Sequence, residues 1–267
     1  MGIIRRARNI IYTYPKEPLP SVTYLKSIRL NVTNASARDG CFMGIRCNDS
    51  VYCRPYRCSA QPYTLNVYTV ASLESNAVVS GSTVSLGSVP NIYTIDMAGA
   101  TLGTTSSHTR IFYKVENSTT MYTIDPTTGG VSPAFTGVDS GAYGQCVFDE
   151  NINVLFVSSY SDGVFSYECS GSTYPYACSN KRLILPPSTP ICAIGIDIYN
   201  DRLFISSYRK NVYASTSPLR SNMSSTDFGC VINTLPSGPA SLYTALWTTN
   251  SHLYWGGYGP DVAVYTL

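Results

Sequence analysis

Apolar residues in this chain come in short runs of β-branched and aromatic side chains, separated by Asn, Asp, Gly and Ser. NVLFVSSY (153–160) and DRLFISSY (201–208) show the form. Side chains of this kind suit a pleated, half-buried surface, and the polar residues between them suit turns, so the runs are predicted strands. No window carries a sustained helical stripe with caps. No apolar run reaches the ~18 residues of a membrane-spanning helix.

The runs repeat. Residues 194–213 (IGIDIYNDRLFISSYRKNVY), 148–165 (FDENINVLFVSSYSDGVF), 246–265 (LWTTNSHLYWGGYGPDVAVY) and 106–122 (SSHTRIFYKVENSTTMY) share one layout. Each has a polar turn, a Leu/Ile-aromatic pair, a second polar or Gly-rich turn, and a second apolar-aromatic pair. The leading aromatics Phe112, Phe156, Phe204 and Tyr254 are 44, 48 and 50 residues apart. Within a copy the two aromatics are nine to eleven residues apart, which suits two short strands joined by a hairpin. Flanking strands before (CVFDE, CAIGIDI, LYTALWT) and after (KRLILP, CVINTLP) bring each unit to four antiparallel strands. One such sheet cannot bury both faces. Packing successive sheets around an axis does, which predicts an all-β protein built as a β-propeller of four-stranded antiparallel blades.

The copies resemble the six-bladed propellers of the NHL and YWTD (lipoprotein-receptor class B) superfamily over about residues 100–267. IGID-x4-RLFISSY, from Ile194 to Tyr208, is similar to the ID-x4-RLYW-T-D pattern of that family, and Tyr254-Trp255 to its aromatic pair. By this resemblance Asp197 and Asp149 take the acidic position before the turn. The closing Asp of the family is Ser206, Ser158 and Gly257 here. Residues 60–105 supply strands for one more unit, so five or six blades are expected. The last unit ends in DVAVYTL (261–267) without an outer strand. Residues 21–32 (SVTYLKSIRLNV) are apolar enough to provide it. The alternative is an open edge completed by a neighbouring chain.

Charge divides the chain. The net +2 is a +7 segment at 1–57 joined to a −5 body. Apart from Arg5-Arg6 the basic residues are diluted by Thr, Ser and Tyr, unlike a nucleic-acid footprint. Three regions are therefore expected: a basic N-terminal arm at 1–40, contributing a ring-closing or inter-subunit strand; a Cys-rich disulfide-stapled module or loop at 41–58; and the propeller at 60–267.

The nine cysteines point to an oxidising compartment. Cys41, Cys47, Cys53 and Cys58 are spaced C-x5-C-x5-C-x4-C, wider than a zinc knuckle, and favour a disulfide staple over a metal site. Cys169 and Cys178 bracket SGSTYPYA, a turn-rich loop that one disulfide could close. Cys146, Cys192 and Cys230 are dispersed. The pairing is not fixed by spacing, and an odd total leaves a thiol free or bonded to another chain. Sequons stand at Asn31, Asn34, Asn48, Asn117 and Asn222; chance alone gives about four, so they are compatible with a glycoprotein without arguing for one. The first residues lack the apolar run of a secretory signal, so an extracellular protein would here be a mature or incomplete chain.

Catalytic chemistry is sparse. The two histidines, His108 and His252, both fall in polar turns before a strand and are expected as turn residues. No nucleophile elbow, HExxH, Walker or GxGxxG motif occurs. Lactonase-like propellers are similar at fold level and hold Ca²⁺ in the central channel with acidic and Asn ligands, for which Asp149 and Asp197 are the candidates here; otherwise both cap turns. Tyrosine is the abundant aromatic, 22 against eight Phe. Tyr160, Tyr208 and Tyr258 take one place in three copies and form the candidate interaction face. The reading that unites these features is an extracellular, disulfide-stabilised, non-enzymatic propeller glycoprotein without cofactor, a structural or interaction subunit of a surface assembly or filament. It would meet protein partners, other copies included, and possible glycans. The alternatives are a Ca²⁺-dependent hydrolase and an intracellular scaffold with reduced thiols.

Overall fold

The structure is a computed structural model. It describes residues 17–31, 41, 43–54, 64–85, 101–114, 118–125, 127–128, 130–139, 144–159, 162–187, 193–207, 211–233, 243–257 and 259–267. The first strand, β1 (Thr23–Asn31), is followed by a meander of β2 (Met43–Cys47), β3 (Ser50–Arg54), β4 (Thr64–Thr69) and, after an excursion, β6 (Ser82–Ser85). The excursion holds a six-residue helix, α1 (Val70–Ser75), and β5 (Val78–Ser80). Next come β7 (Thr101–Thr105), β8 (Ile111–Lys114), β9 (Thr120–Ile124) and β10 (Val131–Thr136). The third meander is β11 (Gln145–Asp149), β12 (Val154–Ser159), β13 (Gly163–Ser170) and β14 (Tyr176–Leu185). The fourth is β15 (Ala193–Tyr199), β16 (Arg202–Ser207), β17 (Val212–Ser215) and β18 (Phe228–Ile232). The last is β19 (Tyr243–Thr248), β20 (His252–Gly257) and β21 (Asp261–Thr266).

The first strand of each sheet packs beside the first strand of the next, β2 by β7, β7 by β11, β11 by β15 and β15 by β19, and β19 returns to β2. The fold is therefore propeller-like. Two sheets are knitted further, by parallel pairing of β7 with β11 and of β10 with β14, so that these eight strands close on themselves.

The repeat explains the packing. In an extended strand successive side chains point to opposite faces, so an apolar pair serves two interfaces at once. Leu155 and Val157 of β12 enter the core shared with β7–β10, while Val154 and Phe156 enter the core shared with β15–β18. Leu203 and Ile205 of β16 face back, and Phe204 faces forward. The leading aromatics Phe112, Phe156, Phe204 and Tyr254, with Tyr52 of β3, all face the following sheet. The turns between first and second strands also obey one rule. Asn48, His108, Asn153, Asn200 and Asp201 have left-handed φ of 47–56°, a conformation that Asn, Asp and His tolerate best among residues with a side chain. Asn200-Asp201 is a two-residue hairpin turn closing Tyr199 against Arg202.

The ring closes within the chain. β1 pairs antiparallel with β21, Ser27 opposite Ala263 and Ile28 opposite Val262. On its other side it pairs parallel with β5, Arg29 opposite Val78. The edge beside β21 is thus taken by the protein's own strand, and the open edge awaiting a neighbouring chain is not present there. Ahead of β1, Glu17 forms an ion pair with Arg202 at 3.0 Å, and Leu19 lies so close to Gly229 of β18 that a Cβ there would stand 2.2 Å from its Cδ1. The Cys-rich stretch is no module apart. Cys41 is joined to Cys53 by a disulfide, and β2 and β3 are ordinary members of the sheet β2-β3-β4-β6. Its Val51, Cys53 and Tyr52 are buried in two inter-sheet cores.

Candidate functional site

Where the first strands meet, one side chain bridges three sheets. The Gln145 side chain at the start of β11 is fully buried and spans the ring. Its Nε2 donates to the carbonyls of Gly44 on β2 (2.7 Å) and Leu246 on β19 (3.0 Å). Its Oε1 accepts from Leu246 N at 3.1 Å. One amide thereby satisfies backbone groups on two other sheets. Gly44 is needed beside it, because a Cβ there would lie 2.6 Å from the Trp247 ring and 2.9 Å from Cys41 Sγ.

A second knot lies along the same strands. Asp197 of β15 is buried, and both of its oxygens are engaged. Oδ1 accepts from Ile198 N at 2.8 Å, and Oδ2 from Thr248 N (2.8 Å) and Thr248 Oγ1 (3.0 Å). His108 Nε2, from the β7–β8 turn, bonds the same carboxylate at 3.0 and 3.2 Å. His108 is therefore more than the turn residue expected: its left-handed backbone aims the ring across the axis at another sheet.

Above this knot opens a polar cup of about 420 Å³. Every sheet contributes to its wall: Arg46, then Ser106–His108, Asp149–Asn151, Ile198–Asp201 and Asn250. Arg46 donates to Asn48 O at 3.0 Å and Asn250 Oδ1 at 3.3 Å. Ser107 donates to Glu150, and Tyr199 OH to Asn250 O. The wall offers guanidinium and amide donors beside the acceptors Glu150 and Asp201, which suits a hydrogen-bonding, hydroxylated or peptidic contact rather than an apolar ligand. A larger recess, about 630 Å³, lies between the first and second sheets and is bordered by Arg110, Asp125 and Thr127; it does not reach the axis knots.

Asp149 and Asp197 are not equivalent, contrary to the sequence alignment of the copies. Asp197 faces Phe204, whereas Asp149 faces Val154, two residues nearer its turn. Asp149 is buried and accepts from Asn151 N at 2.9 Å. Burial holds its carboxyl above the usual carboxylate range despite that bond, and the Asp201 carboxylate pushes in the same direction. Between the ordinary and the raised pKa the folded state holds a proton that the unfolded chain has released. Stability attributable to this group is present at low pH and is lost as pH rises from the ordinary aspartate pKa through the raised one. Asp149→Asn keeps the acceptor for Asn151 N and removes the charge. It is expected to raise the thermal midpoint at neutral pH and to remove this part of the pH dependence, checked by comparing melts of both proteins from about pH 3 to 7. Among the described residues no group of three or more His, Cys, Asp or Glu is placed to hold a metal ion.

The other candidates are scattered. Tyr160, Tyr208 and Tyr258 lie outside the described residues, as do Cys58, Cys192, Asn34 and Asn117. Asn31, Asn48 and Asn222 are exposed. Cys47 is buried, which pushes its thiol up to about 11; Cys146 is buried beside Met121 (3.7 Å between sulfurs), and Cys230 is exposed on β18. Gln145 carried no signal in the sequence. Ser158 Oγ donates to Gln145 O, and Ser206 Oγ accepts from Gly195 N. Gln145 and Asp197 are among the side chains that link the sheets.

No family model matches the chain, and no curated protein matches it. Similar solved structures are glutaminyl cyclase from Myxococcus xanthus (TM-score 0.57, 9% identity, 92% of this chain and 95% of that one), virginiamycin B lyase from Staphylococcus aureus (0.44, 10%, 91% and 99%) and the Cps50 (Swd1) β-propeller domain of Myceliophteria thermophila (0.39, 11%, 82% and 66%). At these identities the likeness is one of fold alone. Among the described residues no helix is long and apolar enough to cross a membrane.

Proposed function

We propose that the chain is an extracellular, disulfide-stabilised propeller of five blades that acts by binding, as a glycoprotein subunit of a surface assembly, and not by catalysis. The observation that carries this reading is the bonding of Gln145 and Asp197 between sheets. A ring of sheets offers its centre as the natural place for a reactive site, and here the Gln145 amide and the Asp197 carboxylate have their hydrogen-bonding capacity committed to holding sheets together. What remains exposed at that end is the polar cup, lined by residues at the ends of β2, β7, β11, β15 and β19, which suits a protein or glycan contact. The Cys41–Cys53 disulfide supports an oxidising compartment.

The test uses the full chain secreted from a eukaryotic host. Peptide mapping without reductant is expected to recover the Cys41–Cys53 link. Sedimentation, with protein and glycan arrays, is expected to show self-association or a retained partner, weakened in Arg46→Ala, Glu150→Ala and Asn250→Ala. Nine free thiols in the secreted chain overturn the compartment. A strictly monomeric chain that retains nothing on the arrays overturns the binding role.

A further inference from the structure

The hairpin β13–β14 does more than complete its own sheet. Its tip crosses to the neighbouring one, where Tyr176 and Ala177 pair in parallel with Phe135 and Thr136 of β10. Close approach is built in, since a Cβ on Gly137, at φ +77°, would stand 2.4 Å from Cys178 O. Tyr174 and Tyr176, next to each other in space (5.0 Å between centroids), roof the core between the two sheets. Tyr176 sits 5.1 Å from Phe148 and Tyr174 5.8 Å from Phe135, and the Arg110 guanidinium lies over the Tyr174 ring at 4.9 Å. The tip is therefore a clasp across one seam of the ring.

At the root of the clasp Cys169 and Cys178 stand directly opposite each other on the two antiparallel strands. Both are buried free thiols in this structure, not the disulfide expected to close the loop, and their sulfurs are 2.6 Å apart. Opposed residues of an antiparallel pair have Cα atoms about 4.5–5.5 Å apart, within the range a disulfide spans. We propose that Cys169 and Cys178 form a second disulfide that locks the tip over the inter-sheet core, making the clasp a redox-controlled fastening. The bond forms by exchange with a small-molecule or protein disulfide. Two cysteine S–H bonds and the donor S–S bond break; the Cys169–Cys178 bond and two donor S–H bonds form. The cysteines are oxidised by two electrons and the donor is reduced. In the cell this step shares the oxidising compartment proposed above, but its chemistry is tested independently of that reading.

The full chain is equilibrated with oxidised glutathione, its remaining thiols are alkylated, and its disulfides are mapped. A peptide linking Cys169 to Cys178 is expected. Both residues alkylated, or either one linked to Cys146 or another cysteine, overturns the proposal, and this outcome is separate from the state of Cys41–Cys53, which reports on the compartment. The clasp is tested with Cys169→Ser, which leaves Cys41–Cys53 intact. Chymotryptic cleavage after Tyr176 is expected to be about tenfold faster in the variant, an opening-equilibrium effect. Its thermal midpoint is expected to fall by roughly 5–10 °C, from the loop entropy of a short cross-link and the size of the chain. Unchanged cleavage overturns the locking role. If the variant does not fold, the same cleavage comparison on wild type before and after selective mild reduction decides.

Discussion

Gln145→Leu is expected to destabilise the protein by about 3–5 kcal/mol. Leucine nearly fills the same volume, so the loss is one of hydrogen bonds and not of packing. The carbonyls of Gly44 and Leu246 and the Leu246 N–H would be left buried without their partner, and each such group costs about 1–3 kcal/mol. Small domains are stable by only about 5–15 kcal/mol in total, so the fall should be plain in urea unfolding. Gln145→Glu separates the contributions. It retains an acceptor for Leu246 N, loses both donors and buries a charge, so its defect should be large at neutral pH and ease as the carboxyl protonates. A change under about 1 kcal/mol for Gln145→Leu would mean that the axis is not held by this amide.

A chain that begins at residue 32 is expected to lose cooperative unfolding altogether. β1 carries Ile28 and Leu30, both 1% exposed, into the core between the last sheet and the first. Burial of each is worth roughly 1.5–3 kcal/mol, and the ladders to β21 and β5 go with them. The loss approaches the whole stability of a domain, and it uncovers two strand edges that invite aggregation. A synthetic peptide of residues 17–31 should restore the transition when added in trans, which distinguishes a missing strand from general damage. A truncated chain melting at the wild-type midpoint would show the closure to be dispensable.

Much of the architecture was legible in the apolar pattern, because a blade packed on both faces must place large side chains on both sides of its strands. Phe112, Phe156, Phe204 and Tyr254 mark every seam they form. The axis was less legible. Asp149 and Asp197 each stand seven residues before their aromatic, yet they occupy different levels. The β15–β16 turn holds two residues and the β11–β12 turn four. Two extra residues keep the same face and slide the pairing by one pleat repeat, about 6–7 Å along the strand. Gln145 was invisible for another reason. A single amide between Gly144 and Cys146 belongs to no pattern, and its value depends on two carbonyls about a hundred positions away. His108 was hidden likewise, since its partner Asp197 is 89 residues on.

The pairing of β1 with β21 also sets the first and last strands of the described fold side by side. Thr23 stands opposite Thr266, with the Thr266 hydroxyl donating to Thr23 O. The entry to the first strand and the exit from the last are therefore neighbours on one rim. The two ends of the ring's closing pair thus hold each other, so a substitution that loosens Thr23 should fray the end of β21 as well, and one at Thr266 the start of β1.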